Sequence, residues 1–346
     1  MRLKRTGTGQ WTCVILVYVN DLLVFGSEST VAEVSRGLRA RFPLTDGASD
    51  YLGIEFAISD KSVHVHQETY VDKVVAEAGF GGCKPVTTPL TTDYTAADFD
   101  APAGADPNAA NSIDFPRVNG QLGYLATHTM PWLLDAFGLF SSTSRQSVAI
   151  PKAPMPGHRA ALARTLRYIS GAGRQGLTYA KQKSFNLTGY CGASHDREMH
   201  RTASGFCKSR SGGCIVASGA SIYAFSQAQQ STALSTFESE LTALVLLAKN
   251  LLALRRLAAF VLDASLPTSV VHCDNMSVIM QLHKRDLSAR ARHVRTNLGF
   301  VYDAIDDGDI DVRHIRTMEN PANTFTAAEN RDRFCASVTL LSGKDA

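Results

Sequence analysis

The sequence has little net charge and no closely paired cysteines, and each absence narrows the classes of protein it can encode. The 35 Lys and Arg residues are nearly balanced by 32 Asp and Glu residues, so the charge is compatible with a nucleic-acid partner but does not predict one. Seven cysteines are scattered without a C-x-x-C pair, which predicts reduced thiols in an intracellular protein. One group has zinc-ligand residue types but lacks the tight spacing of structural zinc sites: Cys191, His195, His200, Cys207 and Cys214.

The sequence also lacks an apolar run long enough to span a bilayer. Residues 1–5 are basic and lead towards an apolar run, as in a signal peptide. Polar residues and glycines intervene at residues 6–10, however, and the run ends at Asn20-Asp21 instead of a small-residue cleavage site. We therefore expect a strand at this position and no membrane partner. The sequence makes no prediction of the oligomeric state.

The most informative segment is residues 12–26, where two β-branched apolar runs flank Asn20 and Asp21. This pattern predicts a buried β-hairpin with polar groups at its turn. A carboxylate held between buried strands costs free energy unless it has a partner. The segment therefore indicates a functional role for the acid.

Composition and periodicity divide the remaining chain. Residues 91–112 are rich in Ala, Asp, Thr, Pro and Asn, which predicts a linker. The section after this linker has helical apolar spacing. The last section contains three short strands, a long amphipathic helix at 235–262, a strand ending before Asp274, another helix and a final strand, which predict a mixed sheet with helices on its faces. The predicted divisions are 1–90, the linker 91–112, the helical section 113–184, the sheet domain 185–328 and a tail at 329–346.

Four stretches of the sheet domain, in this order, resemble the ribonuclease H domain fused to copia-type retrotransposon polymerases. They are Ser204-Gly205-Phe206, residues 233–244 (ALSTFESELTAL), residues 273–277 (CDNMS) and residues 319–323 (ENPAN). Upstream, Tyr18-Val19-Asn20-Asp21 resembles the Tyr-x-Asp-Asp box of reverse transcriptases. The resemblance covers about residues 11–328. It implies a mixed α+β and α/β fold, with a truncated palm and a helical connection followed by a ribonuclease H-like mixed sheet with flanking helices.

This resemblance also implies a chemistry. The family carries out RNA-directed DNA synthesis and cleaves RNA–DNA hybrids with Mg²⁺, so a hybrid or another nucleic acid is the expected partner. In the polymerase box the first aspartate binds Mg²⁺, and here that position is Asn20, which leaves Asp21 alone. The family's earlier palm segment, with another magnesium-binding aspartate, is expected before residue 1.

The ribonuclease H family uses four acids, and the resemblance places them at Gly192, Glu240, Asp274 and Asn323. Two of the four carboxylates are therefore lost. A loop shift that brings in Asp196 or Glu198 is an alternative for the first position, although site geometry tolerates little displacement. Taken singly, Glu240 could be an exposed helix residue and Asp274 a helix N-cap.

A small cationic patch is predicted where the family has a His-Ile-Asp segment. Arg290, Arg292 and Arg295 surround His293 there, and they could contact phosphates or form a solvated loop.

The leading hypothesis is a degenerate reverse transcriptase and ribonuclease H remnant that is catalytically inactive. One alternative is a non-enzymatic module that binds nucleic acid or another partner. Another is a weak Mg²⁺-dependent hybrid nuclease that uses Glu240 and Asp274.

Overall fold

The computed structural model describes residues 2–5, 11–45, 50–94, 113–144, 156–182, 184–194, 208–286 and 292–344. The first elements form a three-stranded antiparallel sheet in the order β1-β2-β3, followed by a helix. The strands are β1 (Arg2–Arg5), β2 (Trp11–Tyr18) and β3 (Asp21–Gly26), and the helix is α1 (Glu28–Arg39). The Ser27 hydroxyl accepts the amide of Thr30 and so caps α1.

The predicted hairpin is confirmed, but its predicted burial is wrong. Tyr18 pairs with Asp21, so Val19 and Asn20 form a two-residue turn. Val17, Tyr18 and Val19 are 52%, 58% and 81% exposed. The physical reason is that α1, which packs beside β2 and β3, has no buried residue of its own, so it does not seal the sheet from water.

A second sheet combines segments that are far apart in the chain. Its antiparallel order is β4-β5-β6-β7, and β7 comes from the far side of the helical section. The strands are β4 (Asp50–Tyr51), β5 (Ile54–Ile58), β6 (Ser62–His66) and β7 (Gly176–Ala180). The helices between β6 and β7 are α2 (Glu68–Glu77), α3 (Phe115–His128), α4 (Leu134–Ser144) and α5 (Pro156–Gly171). Most of the predicted linker, at residues 95–112, lies outside the described residues.

The predicted mixed sheet with flanking helices is confirmed in the last section. Its order is β10-β9-β8-β11-β12, in which β8, β9 and β10 are antiparallel and β11 is parallel to both β8 and β12. The strands are β8 (Thr188–Ser194), β9 (Arg210–Ala217), β10 (Ala220–Ala228), β11 (Ser269–Cys273) and β12 (Ile310–His314). The helices are α6 (Thr236–Leu262), α7 (Met276–Lys284), α8 (Arg292–Asp306) and α9 (Arg331–Ser342).

Three details of this section differ from the predictions. The second of the three short strands was predicted at residues 205–208, but β9 begins at Arg210, and residues 195–207 lie outside the described ranges. Arg292 and Arg295 of the cationic segment do not lie in a loop, because both are in the first turn of α8. The tail at 329–346 contains α9, whose Phe334 is buried. Phe334 is buried because α9 packs an apolar face against the core.

The hydrophobic cores cross the predicted boundary at 184/185. One core packs α6 and α8 on one face of the five-stranded sheet. The other core includes Trp132 and Phe140 of the helical section together with Phe325 and Leu341. The helical section and α9 therefore share a core with the five-stranded sheet. No helix within the described ranges has the length and apolar character of a membrane span.

Candidate active site

The strand register brings the predicted acid positions to one end of the five-stranded sheet. Cys191 of β8 pairs with Cys273 of β11 in a parallel ladder, so the next residues, Gly192 and Asp274, follow at the same end of neighbouring strands. Glu240 lies in the second turn of α6, which packs across β8 and β9. Three of the four predicted positions thus lie on adjacent elements.

Glu240 is a buried acid. Its side chain is 8% exposed, and the Ala193 amide donates a hydrogen bond to its carboxyl group. Within the described part of the chain, Oε2 has no hydrogen-bond partner. Burial and the negative charge of Asp274 raise the pKa of Glu240 to about 8. Glu240 is therefore mostly protonated at neutral pH, and the alternative of an exposed helix residue is wrong.

Gly192 on β8 lies next to Asn323, which belongs to the short helical turn Pro321–Phe325. A Cβ built onto Gly192 would lie 3.5 Å from Asn323 Oδ1 and 3.6 Å from Asn320 Nδ2, which are ordinary contact distances. Asn323 Nδ2 donates to the Thr317 carbonyl at 2.7 Å, while its Oδ1 lies towards Gly192. The two positions at which the resemblance predicts an acid therefore adjoin, with room for a side chain at Gly192.

Asn320, which the sequence reasoning missed, attaches this segment to the sheet. It is 2% exposed, its Nδ2 donates to the Cys191 carbonyl at 2.9 Å, and its Oδ1 accepts the amide of Ala322 at 3.1 Å. The second bond caps the short helical turn Pro321–Phe325 that carries Asn323. The Asn-Pro dipeptide was the available signal, because Asn favours an N-cap and proline the first helical position.

Asp274 does not cap the following helix. The cap of α7 is Asn275, whose Oδ1 accepts the Val278 amide at 3.1 Å. Asp274 is half-buried at the end of β11, where its charge acts on Glu240. The N-cap alternative for Asp274 is therefore wrong.

These residues do not fit a centre for two magnesium ions. Such a centre needs several carboxylates that converge on one point. This site offers the Asp274 and Glu240 carboxyl groups and the Asn323 amide oxygen, whereas Gly192 offers no ligand atom. No group of three or more His, Cys, Asp or Glu side chains able to hold a metal ion occurs within the described ranges.

The polymerase box is a separate and exposed feature. Asp21 is the first residue of β3 and is exposed, and Asn20 lies in the turn beside it. Val19 adopts a backbone φ of 49°, a left-handed conformation that is rare for a β-branched residue. Asp21 is part of no metal-binding group of three acid, histidine or cysteine side chains among the residues described.

A groove of about 650 Å³ with mixed polar and apolar lining lies beside the start of α6. His293 Nε2 lies 3.3 Å from Glu238 Oε1 at its edge. Arg292 and Arg295 are exposed on the same turn of α8, and Arg290 lies outside the described residues. The sequence reasoning missed this groove, whose polar lining includes Ser211, Gln227, Gln229, Ser231, Thr232 and Lys249.

Residues 2–92 match the family described as reverse transcriptase (RNA-dependent DNA polymerase). The chain is 26% identical over 331 residues to the Retrovirus-related Pol polyprotein from transposon TNT 1-94 of Nicotiana tabacum, which covers 93% of this chain and 24% of that protein. It is 24% identical to the Pol polyprotein from transposon RE1 of Arabidopsis thaliana over 94% of this chain and 21% of that protein. The chain thus spans about a quarter of the length of these relatives.

Among solved structures, the foamy viral protease-reverse transcriptase in complex with double-stranded DNA is 14% identical, with a TM-score of 0.47. The match covers 88% of this chain and 46% of that one.

Proposed function

Since this chain is related to the Pol polyproteins of copia-type retrotransposons, we propose that it is a catalytically inactive form of their reverse transcriptase and ribonuclease H region. The observation that carries this proposal is that Gly192 and Asn323 lie next to each other at two positions where the resemblance predicts acids for hybrid cleavage. The ancestral activities are RNA-directed DNA synthesis and RNA–DNA hybrid cleavage.

The physical argument concerns charge at the reacting phosphate. Magnesium, when bound, would neutralise charge on the phosphodiester and activate a water molecule. The residues must supply carboxylates to hold it, and only Glu240 and Asp274 do so at the four positions. Removing one essential group from such a unit commonly abolishes nearly all of the rate, and removing a second adds little. Two absent carboxylates are therefore sufficient for inactivity.

The same argument applies to DNA synthesis by this chain. Phosphoryl transfer depends mainly on positioning and on metal charge. Asn20 contributes a neutral oxygen where the family has a carboxylate, and Asp21 lies exposed in the hairpin. We expect no polymerase activity from these residues.

Rebuilding the acids provides the sharpest test. We expect wild-type protein to leave an RNA–DNA hybrid intact in Mg²⁺, and Gly192→Asp/Asn323→Asp to increase cleavage by about 100-fold or more over that baseline. The matched control is Gly192→Asn with Asn323 retained, which adds side-chain volume without charge. Adding Asp274→Ala to the rebuilt protein should abolish cleavage again.

Two results would contradict this proposal. Wild-type cleavage that disappears in Asp274→Ala would support instead a weak Mg²⁺-dependent nuclease built on Glu240 and Asp274. A rebuilt protein that melts cooperatively but still cleaves nothing would show that the lost acids do not explain inactivity.

The groove beside α6 favours a second candidate, a non-enzymatic module that binds nucleic acid. Amide and hydroxyl groups line the groove, and Arg292 and Arg295 are exposed nearby. Binding of a fluorescent RNA–DNA hybrid should weaken as salt rises if phosphates are contacted. Arg292→Gln/Arg295→Gln should then reduce the salt dependence, whereas Arg36→Gln, on α1, should not. Salt-independent binding or none would exclude this candidate.

A further inference from the structure

The last turns of α6 expose an apolar stripe. Residues 251–262 (LLALRRLAAFVL) contain two arginines and are otherwise apolar, and Arg255 marks the side of the helix that is buried. On the opposite side Ala253, Leu257 and Phe260 are exposed, and the exposed fractions of Leu257 and Phe260 are 51% and 50%. A helix that is apolar on all sides is usually buried on all sides. The α6 stripe, Ala253-Leu257-Phe260, therefore indicates a contact surface.

The spacing of the α6 stripe is that of a helix–helix seam. Its residues are four and then three positions apart, which is the alternation of the apolar positions in a heptad repeat. A two-fold axis between two copies makes every contact occur twice, with the two residues exchanged. If the two helices run antiparallel, Leu257 of each copy lies opposite Phe260 of the other. The stripe is thus complementary to itself.

Two charged residues beside the stripe select the antiparallel direction. Arg256 and Asp263 are both exposed and are seven positions apart, so they lie on the same flank of the stripe. In an antiparallel pair the same flanks meet, which places Arg256 of each copy opposite Asp263 of the other. The midpoint of these two residues is one residue away from the midpoint of Leu257 and Phe260, so a single axis serves both sets of contacts. A parallel pair would instead place like charges opposite each other, where they repel.

We propose that the α6 stripe is the interface of a weak antiparallel homodimer of this chain. The occupant is a second copy, because the apolar residues and both complementary charges lie on one helix. Half-exposed side chains of this size contribute on the order of 100 Å² each, whereas a standard stable interface buries about 800 Å² per partner. The dimer is therefore reversible and depends on protein concentration.

Sedimentation equilibrium of the full chain, at concentrations up to about 500 µM, tests the dimer. We expect the average mass to rise from the 37.3 kDa of one chain towards twice that value. Leu257→Glu places a charge at the centre of the stripe and should weaken association at least about tenfold. The matched control is Leu262→Glu. Leu262 is 48% exposed but lies about 140° around the helix from Leu257, so this variant should associate as wild type does.

Exchanging the charges tests the antiparallel geometry. Arg256→Asp or Asp263→Arg alone places like charges opposite each other and should weaken association, whereas the double variant Arg256→Asp/Asp263→Arg should restore it. The wild-type measurement needs no variant to fold. Three outcomes would overturn the proposal: a wild-type mass of one chain at every concentration, equal weakening by Leu257→Glu and Leu262→Glu, or a double variant that associates no better than the single ones.

Discussion

The hairpin at residues 18–21 and the acid site on the five-stranded sheet lie in opposite environments. Val19 at the hairpin turn is 81% exposed, whereas Leu244 and Val271 beside the acid site are fully buried. In the hairpin, replacing a carboxylate with Asn20 removes a charge that water already solvates. On the sheet, an acid at position 192 or 323 would add a charge to a buried cluster in which Glu240 already has a pKa of about 8. The glycine and asparagine at these positions therefore avoid further electrostatic repulsion.

The largest difference between the regions is expected from removing one apolar side chain in each. Leu244 is fully buried against the sheet, so Leu244→Ala should leave a cavity and lower the free energy of unfolding by about 2–5 kcal/mol. Val17 is 52% exposed, so Val17→Ala should change it by only about 0.5 kcal/mol. Urea unfolding followed by circular dichroism measures both. Equal losses of unfolding free energy in Leu244→Ala and Val17→Ala would contradict the difference in burial between the two regions.

A pH-dependent effect, which across its whole pH window is similar in size to that of Leu244→Ala, is expected from neutralising the buried acid. The pKa of Glu240 is raised from 4.5 to about 8 on folding, so the folded state holds a proton that the unfolded state has released. Its contribution to stability is complete below about pH 4.5 and is lost as the pH rises to about 8, by up to about 1.4 kcal/mol per pH unit. Glu240→Gln cannot ionise, so its stability relative to wild type should rise across this window.

Urea midpoints from pH 4 to pH 9 test this expectation. Glu238→Gln is the matched control on the same helix, where Glu238 Oε2 accepts the Leu234 amide. Glu238→Gln should change the stability but keep the decrease of the unfolding free energy with pH that Glu240 produces. Parallel curves for wild type and Glu240→Gln would contradict the raised pKa.

The smallest effect is expected at the hairpin turn. Val19 has a φ of 49°, which is strained for a β-branched residue and unstrained for glycine. Val19→Gly should therefore raise the free energy of unfolding by about 0.5–1 kcal/mol. Val17→Gly, in the extended strand β2, is the control and should lower it. Thermal melting compares the two, and destabilisation by both would show that the turn is unstrained.

Local sequence predicted the elements beside the acid site. The Ser235 hydroxyl accepts the Glu238 amide at 3.3 Å, and α6 occupies residues 236–262 where apolar spacing predicted a helix at 235–262. β11 ends at Cys273, immediately before Asp274, as predicted. Both features depend on residues that are close in the chain, so apolar periodicity and capping patterns predict them.

Contacts between distant segments were not predictable in the same way. β7 pairs with β6 through His64 and Thr178, although the helical section separates them. Asn320 bonds to Cys191 across 129 positions. No local pattern records such pairs, because their energy depends on surfaces that meet only after folding. The exposure of the hairpin was missed for the same reason, since its apolar runs are compatible with either a covered or an uncovered sheet.

The sequence by itself determined which chemical groups occupy the acid positions: glycine, glutamate, aspartate and asparagine at residues 192, 240, 274 and 323. It thereby set the number of carboxylates at two. Only the tertiary structure decided that Gly192 adjoins Asn323, that Glu240 is buried, and that Asp21 is exposed. A residue carries its functional group wherever it lies, but solvation and neighbouring charge set its pKa, and both arise only when distant segments pack together.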